Sequence, residues 1–158
     1  MIEPFDVSQL FSRQDRIGII SKDAGSANLI AHSFTDFHNS LVFCEEPGRA
    51  IFNTLGYKIS SFSKEVFDFA DVLIIGTGGS DFEKKYLQRA HKAGKQTYSV
   101  LDHWINYEAR FKVGNIKVEP RKLLVFDSEA KNIALAKFPS TPVYHLSNRY
   151  EESIRNRV

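Results

Sequence analysis

Residues 102–111 (DHWINYEARF) carry the densest set of chemically capable side chains in the chain, including its single tryptophan, Trp104. Asp102 beside His103 offers a carboxylate and an imidazole, the two groups of a general acid–base pair. Both follow a predicted strand at 96–101 (QTYSVL), where ligand-facing residues of open α/β sheets sit. Neighbouring side chains on extended backbone point to opposite sides, so adjacency in sequence does not by itself make a dyad. A capping aspartate and a packed aromatic turn would use the same residues. Asn106 and Arg110 add an amide and a fixed cation to the segment.

Three further turns follow predicted strands. The first, SKDAGSAN at 21–28, presents Asp23, Gly25 and Ser26. Small residues there let backbone approach a ligand closely, and amides at a helix start favour an anion. A tight turn using Gly25 and capped by Ser26 accounts for it equally. The second, EEPGR at 45–49, has Glu46 and Arg49 as ligand candidates, although acidic residues and Pro47 before a helix also suit its dipole and first turn. The third, GTGGS at 76–80, has three glycines in four residues, with Gly78, Gly79 and Ser80 forming a possible anion nest.

Other chemistries lack their residues. No G-x-G-x-x-G fingerprint, Walker A loop or G-x-S-x-G elbow is present. The five histidines show no H-x-H or H-E-x-x-H spacing, and Cys44 stands alone, so neither a metal site nor a bound cofactor is expected. The thirteen phenylalanines are scattered, which fits a core better than a base-stacking platform.

The elements that must position these turns alternate regularly. Short apolar runs at 16–20, 41–44, 71–75, 96–101, 123–126 and 143–146 are bounded by turn formers and read as strands. Several are apolar at consecutive positions, as in parallel strands covered on both faces. Helices are predicted at 27–34, 48–55, 81–93, 129–137 and 151–158. The third has Phe82, Tyr86, Leu87 and Ala90 on one face, with Lys84, Lys85, Gln88, Arg89 and Lys92 on the other. Ser80 and Glu83 have the spacing of a capping box, and Gly94 supplies a stop. The alternation predicts a single α/β domain at 16–158: a doubly wound, mostly parallel, Rossmann-like three-layer sandwich. Residues 1–15 form an N-terminal arm or a short helix, and 113–121 a polar surface loop.

Composition fits one such domain. The 158 residues are 42% hydrophobic and 25% charged, enough to bury a core without disulfide or metal. A net charge of +2, from 21 basic and 19 acidic residues, is too mild for a nucleic-acid binder relying on counterion release. No apolar run spans a bilayer, and the first residues lack the pattern of a signal peptide, so a soluble, cytoplasmic protein is expected. The lone cysteine agrees with a reducing compartment.

The ordered set DAGSAN, EEPGRAIFNTLG, DVLIIGTGGSDFEKKYL, SVLDHWINYEARF, LLVFDSEA and PVYHLSNRYEE resembles the N-terminal half of bacterial GT-B-type proteins. These are relatives of UDP-N-acetylglucosamine 2-epimerases, lipid-A-disaccharide synthases, CDP-glycerol glycerophosphotransferases and other polysaccharide-biosynthesis proteins. The similarity spans roughly residues 16–152, and its most specific pieces are LDHWINYEARF and the glycine-rich turn before EKKYL.

The resemblance implies a half-domain in surface-polysaccharide or cell-envelope glycan synthesis. Such a domain holds the acceptor, supplies any base, and faces a nucleotide-sugar donor domain across a cleft. It implies that the turns at 23–26 and 76–80, with Asp102, His103, Asn106 and Arg110, face that cleft. Where the family passes into its second domain this chain reads LSNRY at 146–150 and then stops, so a separately encoded donor-domain partner chain is expected, or, as an interaction module, a homo-oligomer formed through the surface that domain would cover. The alternatives are a non-catalytic module docking on a glycosyltransferase, or a small standalone nucleotide- or phosphate-binding protein.

Overall fold

The computed structural model describes residues 3–157. Six parallel strands form one sheet: β1 (Ile17–Ser21), β2 (Ser40–Cys44), β3 (Val72–Ile75), β4 (Gln96–Val100), β7 (Leu123–Val125) and β8 (Val143–His145). All six predicted strands are present, with ends shifted by one residue at most. The spatial order is β2-β1-β3-β4-β7-β8. The chain leaves β1 toward one edge, then crosses to the other side of β1 for β3. This reversal opens a crevice between the carboxyl ends of β1 and β3.

Consecutive apolar residues in the strands feed two cores. Ile17, Ile19, Val72, Ile74 and Leu124 pack on one face of the sheet, and Ile20, Leu73, Ile75, Leu123 and Val125 on the other. Helices α2 (Ala24–Ser33), α3 (Gly48–Thr54) and α7 (Arg149–Arg155) cover the first face; α4 (Ser63–Phe69), α5 (Phe82–Lys92) and α6 (Ser128–Lys137) cover the second. The result is a three-layer, Rossmann-like α/β sandwich.

Gly18 lets β1 approach α4. A Cβ there would stand 2.7 Å from both Ala70 Cβ and Leu73 Cδ2. Gly18→Ala is expected to cost ~1–3 kcal/mol by overpacking, read as a lower urea midpoint with an unchanged slope.

Local differences have identifiable causes. Residues 7–10 form a short helix, α1 (Val7–Leu10), with a capping box from Asp6 and Gln9. Val7 and Phe11 are buried, and Phe5 N–H donates to His145 O at 2.7 Å, so this segment belongs to the domain. Arg149 bonds Asp6 at 2.7 Å and holds its carboxyl down at about 2, with Ser8 N–H contributing most. The loop at 113–121 contains part of a two-stranded hairpin, β5 (Lys112–Val113) and β6 (Ile116–Lys117), and buries Val118. Helix α4 was not anticipated, and α2 starts three residues before the predicted helix. No helix among the described residues is long and apolar enough to cross a membrane.

Candidate functional site

A cleft of 610 Å³ opens at the β1/β3 reversal. The turn after β1 contributes Asp23 and Gly25, the turn after β3 Thr77, Gly78 and Gly79, and the segment after β4 Asp102, His103, Asn106 and Arg110. All four turns singled out in the sequence therefore border one place, the turn after β2 through Pro47 alone.

The segment after β4 is held in an unusual shape. His103 and Asn106 adopt left-handed backbone, at φ 57° and 58°, a region that non-glycine residues rarely occupy and that clusters at functional sites. A 3₁₀ turn at Ala109–Phe111 then returns Arg110 to the strand tip. The buried Tyr107 hydroxyl donates to His103 O, fixing the first left-handed residue. Burial pushes that phenol up to about 12, so it remains a donor across the neutral range.

Arg110 joins the two central turns. Its Nη1 donates to Asp102 Oδ1 at 2.5 Å and to Thr77 Oγ1 at 3.1 Å, while the Thr77 hydroxyl donates to Val100 O at 2.7 Å. Its guanidinium also lies 5.4 Å from the centre of the Tyr107 ring. Both members of the Arg110–Asp102 pair are nearly buried, so the pair is little screened by solvent. Asp102 Oδ2, on the other side of the carboxylate, stands 3.5 Å from His103 Nε2. The His103 side chain is 75% exposed. Left-handed backbone thus brings together two side chains that extended backbone would have separated. The carboxylate stands beside the imidazole without a hydrogen bond to it, close enough to favour an Nε2–H on that side when the ring turns toward it.

The glycines make room for carboxylates. A Cβ on Gly25 would fall 1.9 Å from Asp102 Oδ2, and one on Gly78 1.9 Å from Asp23 Oδ2. One on Gly76 would meet Glu83 Oε2 at 2.4 Å and Ser26 Oγ at 2.6 Å. Asp23 occupies the N-cap position of α2 but does not cap it with its side chain; its Oδ2 accepts from Gly79 N–H at 3.3 Å. The glycine-rich turn therefore seats acidic side chains, and the one side chain its amides are seen to bind is a carboxylate.

Several predicted residues lie elsewhere. Ser26 is fully buried beneath the cleft, inside α2, and its hydroxyl has no partner. Arg49 and Ser80 line a separate cleft at the end of the edge strand β2, with Lys22, Lys85 and Arg89. Glu46 is exposed and accepts from Ala50 N–H at 3.3 Å in the first turn of α3. For Glu46 and Arg49 the reason is strand order: β2 is the sheet edge, and the turn after it reaches the cleft only through Pro47.

The Ser80–Glu83 capping box is not formed. Helix α5 begins at Phe82, and Glu83 turns inward, 1% exposed, where Oε2 accepts from Lys22 N–H at 3.2 Å and Oε1 has no partner. Burial, then the nearby charge of Asp23, raises its carboxyl to about 8. Lys84, predicted on the outer face, is also buried and lines the cleft, its Nζ 3.8 Å from Asp81 Oδ1. Glu83 falls at i, i+4, i+7 with Leu87 and Ala90, a spacing that could have placed it inside. Thr77 and Tyr107 carried no comparable signal.

Among the described residues, no group of three or more His, Cys, Asp or Glu side chains is arranged to hold a metal ion. The chain matches no protein-family model, and no curated protein proves significantly similar to it. The chemistry of the site must be read from its own atoms.

Proposed function

We propose that this chain is the acceptor-binding half of a GT-B-type apparatus for surface-polysaccharide or cell-envelope glycan synthesis, with His103 as general base. The supporting observation is the arrangement at the strand tip: Arg110 fixes Asp102, Asp102 stands 3.5 Å from His103 Nε2, and the imidazole opens on the switch-point cleft. Asp23 and Asp102 line that cleft as hydrogen-bond acceptors suited to sugar hydroxyls. A carboxylate at the N-cap position of α2 disfavours a phosphate there, which argues for a hydroxylated acceptor over a nucleotide. His103 Nδ1 takes the acceptor hydroxyl proton as that oxygen forms a bond to the donor's anomeric carbon. The bond from that carbon to the departing nucleotide breaks, and the leaving group carries its electron pair away. A donor domain would present that carbon over the cleft. Ile105, 64% exposed and lining the cleft, offers it an apolar contact.

The test is a resonance-resolved titration. Neutral sugars are expected to shift the Gly78 and Gly79 amides and the His103 imidazole saturably, with UMP and CDP leaving them unmoved. A response to nucleotides in place of sugars overturns the acceptor assignment. In a reconstituted transfer assay, His103→Ala should lower kcat by ~10²–10⁴-fold with little change in acceptor KM. Unchanged turnover removes the base role.

A further inference from the structure

Gly25, Asp102 and His103 line a second cavity as well, one of 250 Å³ on the β7 side of the imidazole. Trp104 walls it, with Asp127, Asn148 and Tyr150. The Trp104 ring is half exposed yet held at its edge, because its Nε1–H donates to both Asp127 oxygens at 3.1 and 3.2 Å. Asp127 is itself fixed as the N-cap of α6, accepting from Ala130 N–H at 2.7 Å. Asn148 caps α7 through Oδ1, accepting from Glu151 N–H at 2.9 Å, which leaves its two amide N–H donors for another acceptor.

An indole fixed by its edge while its surface remains accessible is a stacking platform. The cavity is smaller than the ~300–1,000 Å³ of sites for drug-sized ligands, so it suits one ring. The Asp127 carboxylate in its wall disfavours a phosphate or carboxylate ligand, and the amide donors of Asn148 and the hydroxyl of Tyr150 suit a ring bearing hydroxyls.

We infer that this cavity is a second acceptor subsite, taking one neutral sugar ring stacked on Trp104 and hydrogen-bonded by Asn148 and Tyr150. The inference rests on the acceptor reading of the adjoining cleft and extends it: the acceptor is at least two rings long, with His103 at their junction.

Trp104 is the sole tryptophan, so indole emission reports on this cavity alone. The intact chain is titrated with methyl β-glucoside, N-acetylglucosamine and chitobiose, following emission and protection from acrylamide, with inorganic phosphate as the anionic probe. A saturable change with the sugars and none with phosphate is expected, with chitobiose binding at least tenfold more tightly than either single ring. Asn148→Ala should weaken the response about tenfold, and Tyr150→Phe severalfold. Circular dichroism checks that both variants are folded. An unmoved Trp104 signal while sugars still shift Gly78 and Gly79 overturns the second subsite and leaves the first reading standing. Silence at both positions overturns both. An emission response that survives both substitutions unchanged overturns the subsite as drawn.

Discussion

Replacing Glu83 with glutamine is expected to make the protein more stable at pH 9 while leaving stability at pH 5 within ~1 kcal/mol. Burial and the charges of Asp23 and Asp102 raise the Glu83 carboxyl from 4.5 to about 8 in the folded state, against the smaller opposing pull of Lys22 N–H and its charge. In the unfolded chain the group titrates near its ordinary value. Between those limits the folded state binds more protons than the unfolded one, so stability falls as pH rises through this window and levels off above about 8. Each pH unit inside it is worth about 1.4 kcal/mol for a fully effective group, which makes the total on the order of a few kcal/mol. Glutamine keeps an acceptor for Lys22 N–H while it cannot ionise. Urea denaturation of parent and variant from pH 5 to pH 9 should show two curves that diverge on the alkaline side. Parallel curves would sink the neutral-acid description of Glu83.

The same residue shows where sequence reading stops. The strands were legible because both faces of the sheet are covered, so runs such as VLII at 72–75 stay apolar at every position. The turns after β1, β3 and β4 were legible because ligand sites lie at the carboxyl ends of strands. Lateral strand order is a tertiary property, however, and periodicity does not carry it. Glu46 and Arg49 lie away from the crevice because β2 is the sheet edge, and Ser80, at the far end of the turn after β3, lines the separate cleft at the end of β2. Helix α4 buries Val66 but shows no clear apolar stripe, since Phe67 and Phe69 are only partly buried. Glu83 satisfied a local capping pattern, and that pattern masked the helical spacing that turns it inward. The Asp102–His103 pair depends on the left-handed backbone of His103, and nothing in that residue's type announces such a conformation.

A large functional loss is expected from a single methyl group, in Gly25→Ala. Residue 25 lies in the first turn of α2, with no left-handed backbone to forbid alanine, and alanine is favoured over glycine in a helix by ~1 kcal/mol. The added Cβ nevertheless falls 1.9 Å from Asp102 Oδ2 and 3.0 Å from its Cγ. That carboxylate cannot retreat freely, because Arg110 grips its other oxygen and Arg110 is tied in turn to Thr77. Either the clamp breaks, leaving a nearly buried guanidinium without its partner, or the turn after β1 moves away from the cleft. Both outcomes move the carboxylate from its place beside His103. Displacement of reacting groups by an ångström costs ~10²-fold in rate. Transfer activity should therefore fall by at least that factor, and the shift of the His103 imidazole on sugar addition should disappear, while circular dichroism remains that of the parent. Adding Asp102→Ala to Gly25→Ala removes the clash but leaves the nearly buried Arg110 without its partner, so activity should stay lost. A Gly25→Ala variant that keeps both its sugar response and its turnover would show that the carboxylate seat is not what aims the imidazole.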